Sequence, residues 1–263
     1  MRARVFCHWY RLLLILLAFP TAVASQTGEE PAPDTVAGIL EHFAREYRGM
    51  GSDTSAYVVQ FDIRPGDRSW HAEVFPEGGI ELEPGMSDRA AFVFATDEST
   101  LLDIYHEKMT GMTAAAQATG LDAAPLEVRT NEAAAELANP RRALLGFAQD
   151  FFNRSWPERI KLGEEHSRVV HGAHAIPLYY GEGFRSAWYT IEKGQRLNEP
   201  GDTNPFPQAF VIISGEGMAK IGDSTIKVHA GESYYIAPGS DHVLWTESEH
   251  GITLIWLGWG KGA

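Results

Sequence analysis

Hydrophobic and polar residues follow two different periods along this chain. Val36, Ile39, Leu40, Phe43 and Tyr47 recur at helical spacing behind Asp34, a candidate N-cap. The period then shortens to two. Tyr57, Val59, Phe61 and Ile63 alternate with Gln60 and Asp62; beyond Pro65-Gly66-Asp67, Trp70, Ala72 and Val74 alternate with His71 and Glu73. This predicts a half-buried antiparallel hairpin. Gly78-Gly79 turns into Ile80 and Leu82, Pro84-Gly85 turns again, and Ala90 to Ala95 reads as another strand. Thr96 or Asp97 caps a helix carrying Leu101, Leu102, Ile104, Tyr105 and Met109. A small-residue helix from Met112 to Thr119 and a strand from Leu126 to Arg129 complete an α+β layout.

Asn131 can cap an Ala-rich helix, and Pro140 can restart one bearing Leu144, Leu145, Phe147, Phe151 and Phe152. So many large apolar residues predict a connector docked on a domain rather than a loose linker. From Val169 onward short strands alternate with Gly, Pro, Asn and Asp turns, the signature of an all-β barrel or sandwich.

The extreme N-terminus carries a different signal. Arg2, Arg4 and Arg11 precede Leu12 to Phe19, and Pro20 leads into Thr21-Ala-Val-Ala-Ser25, the succession of a secretory signal peptide. The apolar run is shorter than the roughly 20 residues a bilayer core requires, and no comparable run follows, so stable membrane insertion is not expected. Cys7, the one cysteine, falls inside this segment, leaving the mature chain without disulfides or a cysteine for lipid attachment. Removing residues 1 to 25 takes away the three arginines and no acid, so the formal charge of −13 becomes −16. Such a chain is a poor partner for nucleic acid or anionic membranes, and no nucleic-acid partner is expected. About 240 mature residues suit one large domain or two ordinary ones.

Ser69-Trp70, Gly78-Gly79, Met86-Ser87-Asp88, Thr96-Asp97-Glu98-Ser99 and Lys108-Met109-Thr110-Gly111 through Gly120 together resemble the sterol-carrier-protein-2-like fold over residues 35–135. Glu107 stands where that family often places a glycine. The resemblance implies a lipid- or sterol-like ligand on the face of Tyr57, Val59, Phe61 and Trp70, with Leu102 and Tyr105 of the helix covering it. Residues 169–263, after a helical connector at 136–168, resemble the cupin family. Gln208-Ala-Phe-Val-Ile-Ile-Ser-Gly215 echoes its first signature; Gly231, Pro238-Gly239 and His242 echo its second, with Ala237 in a slot usually held by proline. The implied fold is a double-stranded β-helix or jelly-roll barrel that closes its edges and leaves one mouth. A homodimer through the barrel is compatible with this layout.

Cupins commonly hold a metal with three histidines and one glutamate. Here Gln208 takes the glutamate slot, Gly201-Asp-Thr-Asn204 contains no histidine, and His242 alone remains. A neutral amide is a weak ligand and one imidazole holds a divalent ion poorly, so no metal and no other cofactor is expected. Rescue sets drawn from Glu199, Asp202, Asn204 and His242, or from His166, His171 and His174, are less favoured. Alternation places Phe210 and Ile212 beside Gln208, and Leu244 beside His242. Of Trp188 and Tyr189, which point to opposite sides, Tyr189 is favoured as inward. These residues suggest an apolar pocket with an amide and an imidazole as orienting groups.

The sequence thus describes an exported binding protein, periplasmic or secreted, with an apolar small-molecule pocket and a metal-free barrel for a ligand or partner. The alternative is a cupin-type isomerase, lyase or oxygenase using His242 as acid or base, or in an unorthodox metal site. A purely structural module is the third reading. Export has a direct readout: protein from its native host has an intact mass lacking residues 1 to 24 or 1 to 25, and a full-length cytosolic form refutes it.

Overall fold

The computed structural model describes residues 35–49, 55–118 and 122–263; the segment read as a signal peptide, Asp34, Thr119 and Gly120 lie outside them. Helix α1, Val36–Glu46, is capped by Thr35, whose side chain accepts from the Gly38 N–H at 3.1 Å. Strands β1 (Tyr57–Arg64), β2 (Arg68–Val74), β3 (Ile80–Pro84) and β4 (Ala90–Asp97) follow, then α2 (Glu98–Tyr105), α3 (Gly111–Ala115), β5 (Leu126–Thr130) and α4 (Pro140–Phe151). The five strands form one sheet in the order β3-β2-β1-β4-β5, in which β1 and β4 are parallel and the other pairs antiparallel.

Three expectations for this half change. The helix expected to reach Met109 stops at Tyr105, because Glu107 takes a φ of 55°. That backbone region favours glycine. Burial alone would raise the Glu107 carboxyl, yet bonds from Arg159 at 2.7 Å and Lys161 at 3.0 Å hold it below the ordinary range and anchor the turn. The Ala-rich segment after Asn131 is a short 3-10 turn, Glu132–Glu136, and the small-residue helix is only Gly111–Ala115. The first hairpin is also buried more deeply than alternation implied, since Val58 and Gln60 on the second face of β1 are nearly as enclosed as Val59 and Phe61. Gln60 is satisfied there by Asp62 and by the Ser87 N–H.

The face expected to enclose a lipid is instead filled by α4. Tyr57, Val59, Phe61 and Tyr105 are buried in one cluster with Phe147, Phe151 and Phe152, and Trp70 and Leu102 pack against its margin. Phe61 stacks on Phe151 with ring centroids 4.8 Å apart, and Phe147 stacks on Phe151 at 4.9 Å. Phenylalanine rings bury large areas and fill space in these offset arrangements, so Phe61, expected as a ligand contact, packs on the connector helix within the cluster that also buries Tyr57, Val59 and Tyr105.

The second half is a nine-stranded sheet. Strands β6 (Arg168–Val170), β7 (Ala173–Gly181), β8 (Phe184–Ile191), β9 (Arg196–Leu197), β10 (Gln208–Ile221), β11 (Ser224–His229), β12 (Ser233–Ile236), β13 (His242–Trp245) and β14 (Ile252–Trp259) run in the order β6-β7-β8-β14-β10-β13-β9. Strands β11 and β12 also pair with β10. The first part of β10 pairs with β12 and β14, the last with β11 and β13, so this one strand passes between both walls of the barrel. It bends at a register shift between Ile212 and Ser214 and at Gly215, φ 82°, where a Cβ would stand 2.0 Å from the Gly251 carbonyl oxygen. Only glycine allows the strands to approach this closely there.

Phe151→Ala should therefore destabilise the protein by about 3–5 kcal/mol, the usual cost of deleting a fully buried aromatic ring. Urea unfolding of the full chain, with the midpoint displaced to lower urea, checks this.

Candidate functional site

Three neighbouring strands, β8, β14 and β10, supply much of the barrel's inner face. Register sets Tyr189 of β8 against Leu254 of β14 and Leu254 against Ile212 of β10; the next row is Ala187, Trp256, Phe210, and the next Arg185, Gly258, Gln208. The first two rows form a mostly apolar core, and the third carries the polar groups. Ile212 and Leu244, expected as pocket residues, are fully buried in that core, whereas Tyr189, Phe210 and His242 line a cavity of about 270 Å³ on the concave face. Arg185, His171, Asn204, Tyr180 and Trp256 share its wall.

Arg185 is held by stacking rather than by charge. Its guanidinium carbon lies 5.5 Å from the Tyr180 ring centroid and 5.5 Å from that of Phe206. Phe206 gains its place because Gly258 has no side chain; a Cβ there would come within 2.8 Å of the Phe206 ring. No described carboxylate pairs with Arg185, and its buried Nε has no hydrogen-bond partner among the described residues. Two aromatic faces stabilise a partly desolvated cation but leave its N–H groups free to donate.

Gln208, fully buried just behind the cavity, accepts at Oε1 from the Trp256 indole at 2.9 Å and from Asn204 Nδ2 at 2.9 Å. An indole N–H only donates, so this bond fixes the amide with its oxygen toward Trp256. The Gln208 Nε2 donor is left buried without a partner among the described residues. His242 sits beside this network. Its Nδ1 lies 3.2 Å from the Ser240 carbonyl oxygen, which assigns the proton to Nδ1 and leaves a lone pair on Nε2, 3.4 Å from Asn204 Nδ2.

The mouth is shaped by two residues in left-handed conformation, His171 (φ 57°) and Asn198 (φ 64°). Their backbones join through Asn198 N–H donating to the His171 carbonyl at 2.8 Å, and Asn198 Nδ2 donates to the His242 carbonyl at 3.0 Å. Gly172, φ 81°, permits the close approach, since a Cβ would stand 2.3 Å from the Arg196 carbonyl oxygen. Burial lowers the pKa of His171; nearby Asp202 and Asp122 oppose the shift and His242 adds to it. Burial likewise lowers that of His242, against the Ser240 carbonyl, Asp202 and Asp241. Both shifts favour the neutral ring. Burial also pushes the Tyr180 phenol up to about 12 and Tyr189 well above its usual value, so both remain hydroxyl donors.

These groups do not fit a divalent metal. The usual carboxylate position holds an amide whose oxygen is committed to Trp256 and Asn204, and a single imidazole stands beside it. In the rescue sets, Asp202 instead accepts from the Glu199 N–H, and His171 and His174 point to different places. His174 lies on the outer face of β7 with Ser167; with Glu164 and Glu192 it brings ligand atoms within 4.8 Å of one another, the one such group among the described residues.

Residues 187–258 match the family model of the cupin domain and lie within the curled antiparallel sheet of β6 to β14, a cupin-type β-barrel fold. Among solved structures, the chain is similar to a Cupin 2 conserved barrel domain protein from Salinispora arenicola (17% identity, 39% of this chain and 88% of that one, TM-score 0.36). It is also similar to an RmlC-like cupin from Shewanella frigidimarina (18% identity, 40% and 92%, TM-score 0.34). No curated protein sequence matches the chain.

The two depressed imidazoles make stability pH-dependent with a definite sign. Between an ordinary histidine pKa of about 6.5 and their lower folded values, the unfolded chain binds more protons, so stability falls as pH drops through this window. His242→Asn should flatten the fall in melting temperature between pH 7 and pH 5.5 relative to the unsubstituted protein; parallel curves contradict the assignment.

Proposed function

We propose that the concave face of the barrel is a metal-free binding site for a small organic carboxylate, with Arg185 as its counter-ion, in a protein exported from the cell. The observation that carries this reading is the Arg185 guanidinium, clamped between Tyr180 and Phe206 at the cavity wall with no described acidic partner. A partly buried cation without a counter-ion is costly, and a guanidinium fork matches a carboxylate with two parallel hydrogen bonds. Trp256 and Phe210 offer apolar surface beside it, and the Nε2 of His242 accepts a hydrogen bond or proton from the ligand in place of its long, 3.4 Å contact with Asn204 Nδ2.

The lone pair on His242 also supports a second reading, an isomerase or lyase that removes a proton adjacent to a carboxylate held by Arg185. Export rests on the basic, apolar and small-residue succession of residues 2 to 25. The sterol-carrier-like assignment of the N-terminal unit rests on its order of helix, four strands, two helices and strand.

Isothermal titration of the mature protein with straight-chain monocarboxylates tests the site. Binding should weaken at least tenfold in Arg185→Met and be only partly kept in Arg185→Lys, which lacks the fork. At pH 6 binding should take up protons, because an anion beside His171 and His242 favours their charged forms. Unchanged affinity in Arg185→Met overturns the reading.

A further inference from the structure

Two cavities share a wall at the inner side of β7 and β8. The first, about 270 Å³, carries Arg185 and His242. The second, about 290 Å³, lies where Met112 and Ala115 of α3 and Leu144 and Leu145 of α4 face Ala187 of the barrel. Gln117, His171, Tyr180 and Tyr189 belong to the walls of both. Apart from these four shared residues, every side chain lining the second cavity is apolar. The polar groups are thus gathered in the first chamber and on the shared wall, and the rest of the second chamber is apolar.

We infer that the ligand is an amphiphilic carboxylate, its head on Arg185 and its hydrocarbon tail lying past Tyr180 and Tyr189 in the chamber roofed by α3 and α4. This rests on the carboxylate reading of Arg185. Water in the far chamber finds few hydrogen-bond partners, so apolar atoms occupy it more favourably. Each chamber alone is near the lower limit of small-molecule pockets, about 300–1,000 Å³, and a ligand spanning both is well within that range. The tail site is therefore made between the two halves of the chain. It is not the strand face of Tyr57, Val59 and Phe61, which α4 already fills.

The test is a chain-length series, butanoate to hexadecanoate, titrated into the full mature protein, with the corresponding primary alcohols beside it. Affinity should rise about fourfold per methylene, the value of burying one such group, and then level off once the chamber is full. Leu144→Trp and Ala115→Trp should move the plateau to shorter chains, and Leu145→Ala to longer ones, with each variant's fold checked by its melting curve. Should the bulky variants fail to fold, the shift in Leu145→Ala decides. If short and long acids bind equally and both lose affinity in Arg185→Met, the tail site is refuted while the carboxylate site stands. If alcohols bind as tightly as acids and Arg185→Met changes nothing, the carboxylate reading falls and this inference with it. Absence of binding at every length refutes both.

Discussion

The architecture depends on α4 having two apolar sides. One side sends Phe147 and Phe151 into the five-stranded sheet; the other turns Leu144 and Leu145 toward the barrel. Neither half is complete without it. The N-terminal sheet would leave Phe61 and Phe94 open to water, and the inner side of β7 and β8 would be unroofed where the nine-stranded sheet curls away. An amphipathic helix with a single stripe satisfies one partner. The twelve residues Pro140–Phe151, capped by Asn139, whose side chain accepts from the Arg142 N–H at 3.0 Å, satisfy two.

Inside the barrel, an amide at Gln208 has wide consequences. A carboxylate there would need a cation, and the buried indole of Trp256 supplies only one neutral donor. The amide accepts that donor, holds Asn204, and thereby places a neutral histidine beside an uncharged network. The formal charge on this wall sits in Arg185, one row partner away across Gly258. Positive charge is thus carried by a side chain fixed between aromatic rings, and a bound metal is unnecessary to create it.

Much of this barrel was legible in the sequence because a strand has a period of two. Gln208 and Phe210 share a face by that rule alone, and the turn before His242 fixes where its strand starts. The same rule, counted back from Tyr189, reaches Ala187 and Arg185. Arg185 escaped notice because a charged residue near a strand end ordinarily reads as solvent-facing, and nothing local announces that Phe206, more than twenty positions later, will stack on it. His171 was visible as a histidine but not as a mouth residue, since its place depends on the left-handed His171-Gly172 turn. In the N-terminal half the burial of Tyr57, Val59 and Phe61 was plain. What covers them was not: periodicity identifies an apolar face, and the choice of α4 as its cover is tertiary.

The acidity of the chain gives the clamped guanidinium a kinetic aspect. A protein with a formal charge of −13 carries a pocket proposed to receive an anion, and at low ionic strength that excess of negative charge repels the incoming ligand. At physiological salt the repulsion fades beyond about 8 Å, while the contact with Arg185, shielded by Tyr180 and Phe206, is screened far less. Salt would then govern how quickly an anion enters, and the aromatic clamp how long it stays.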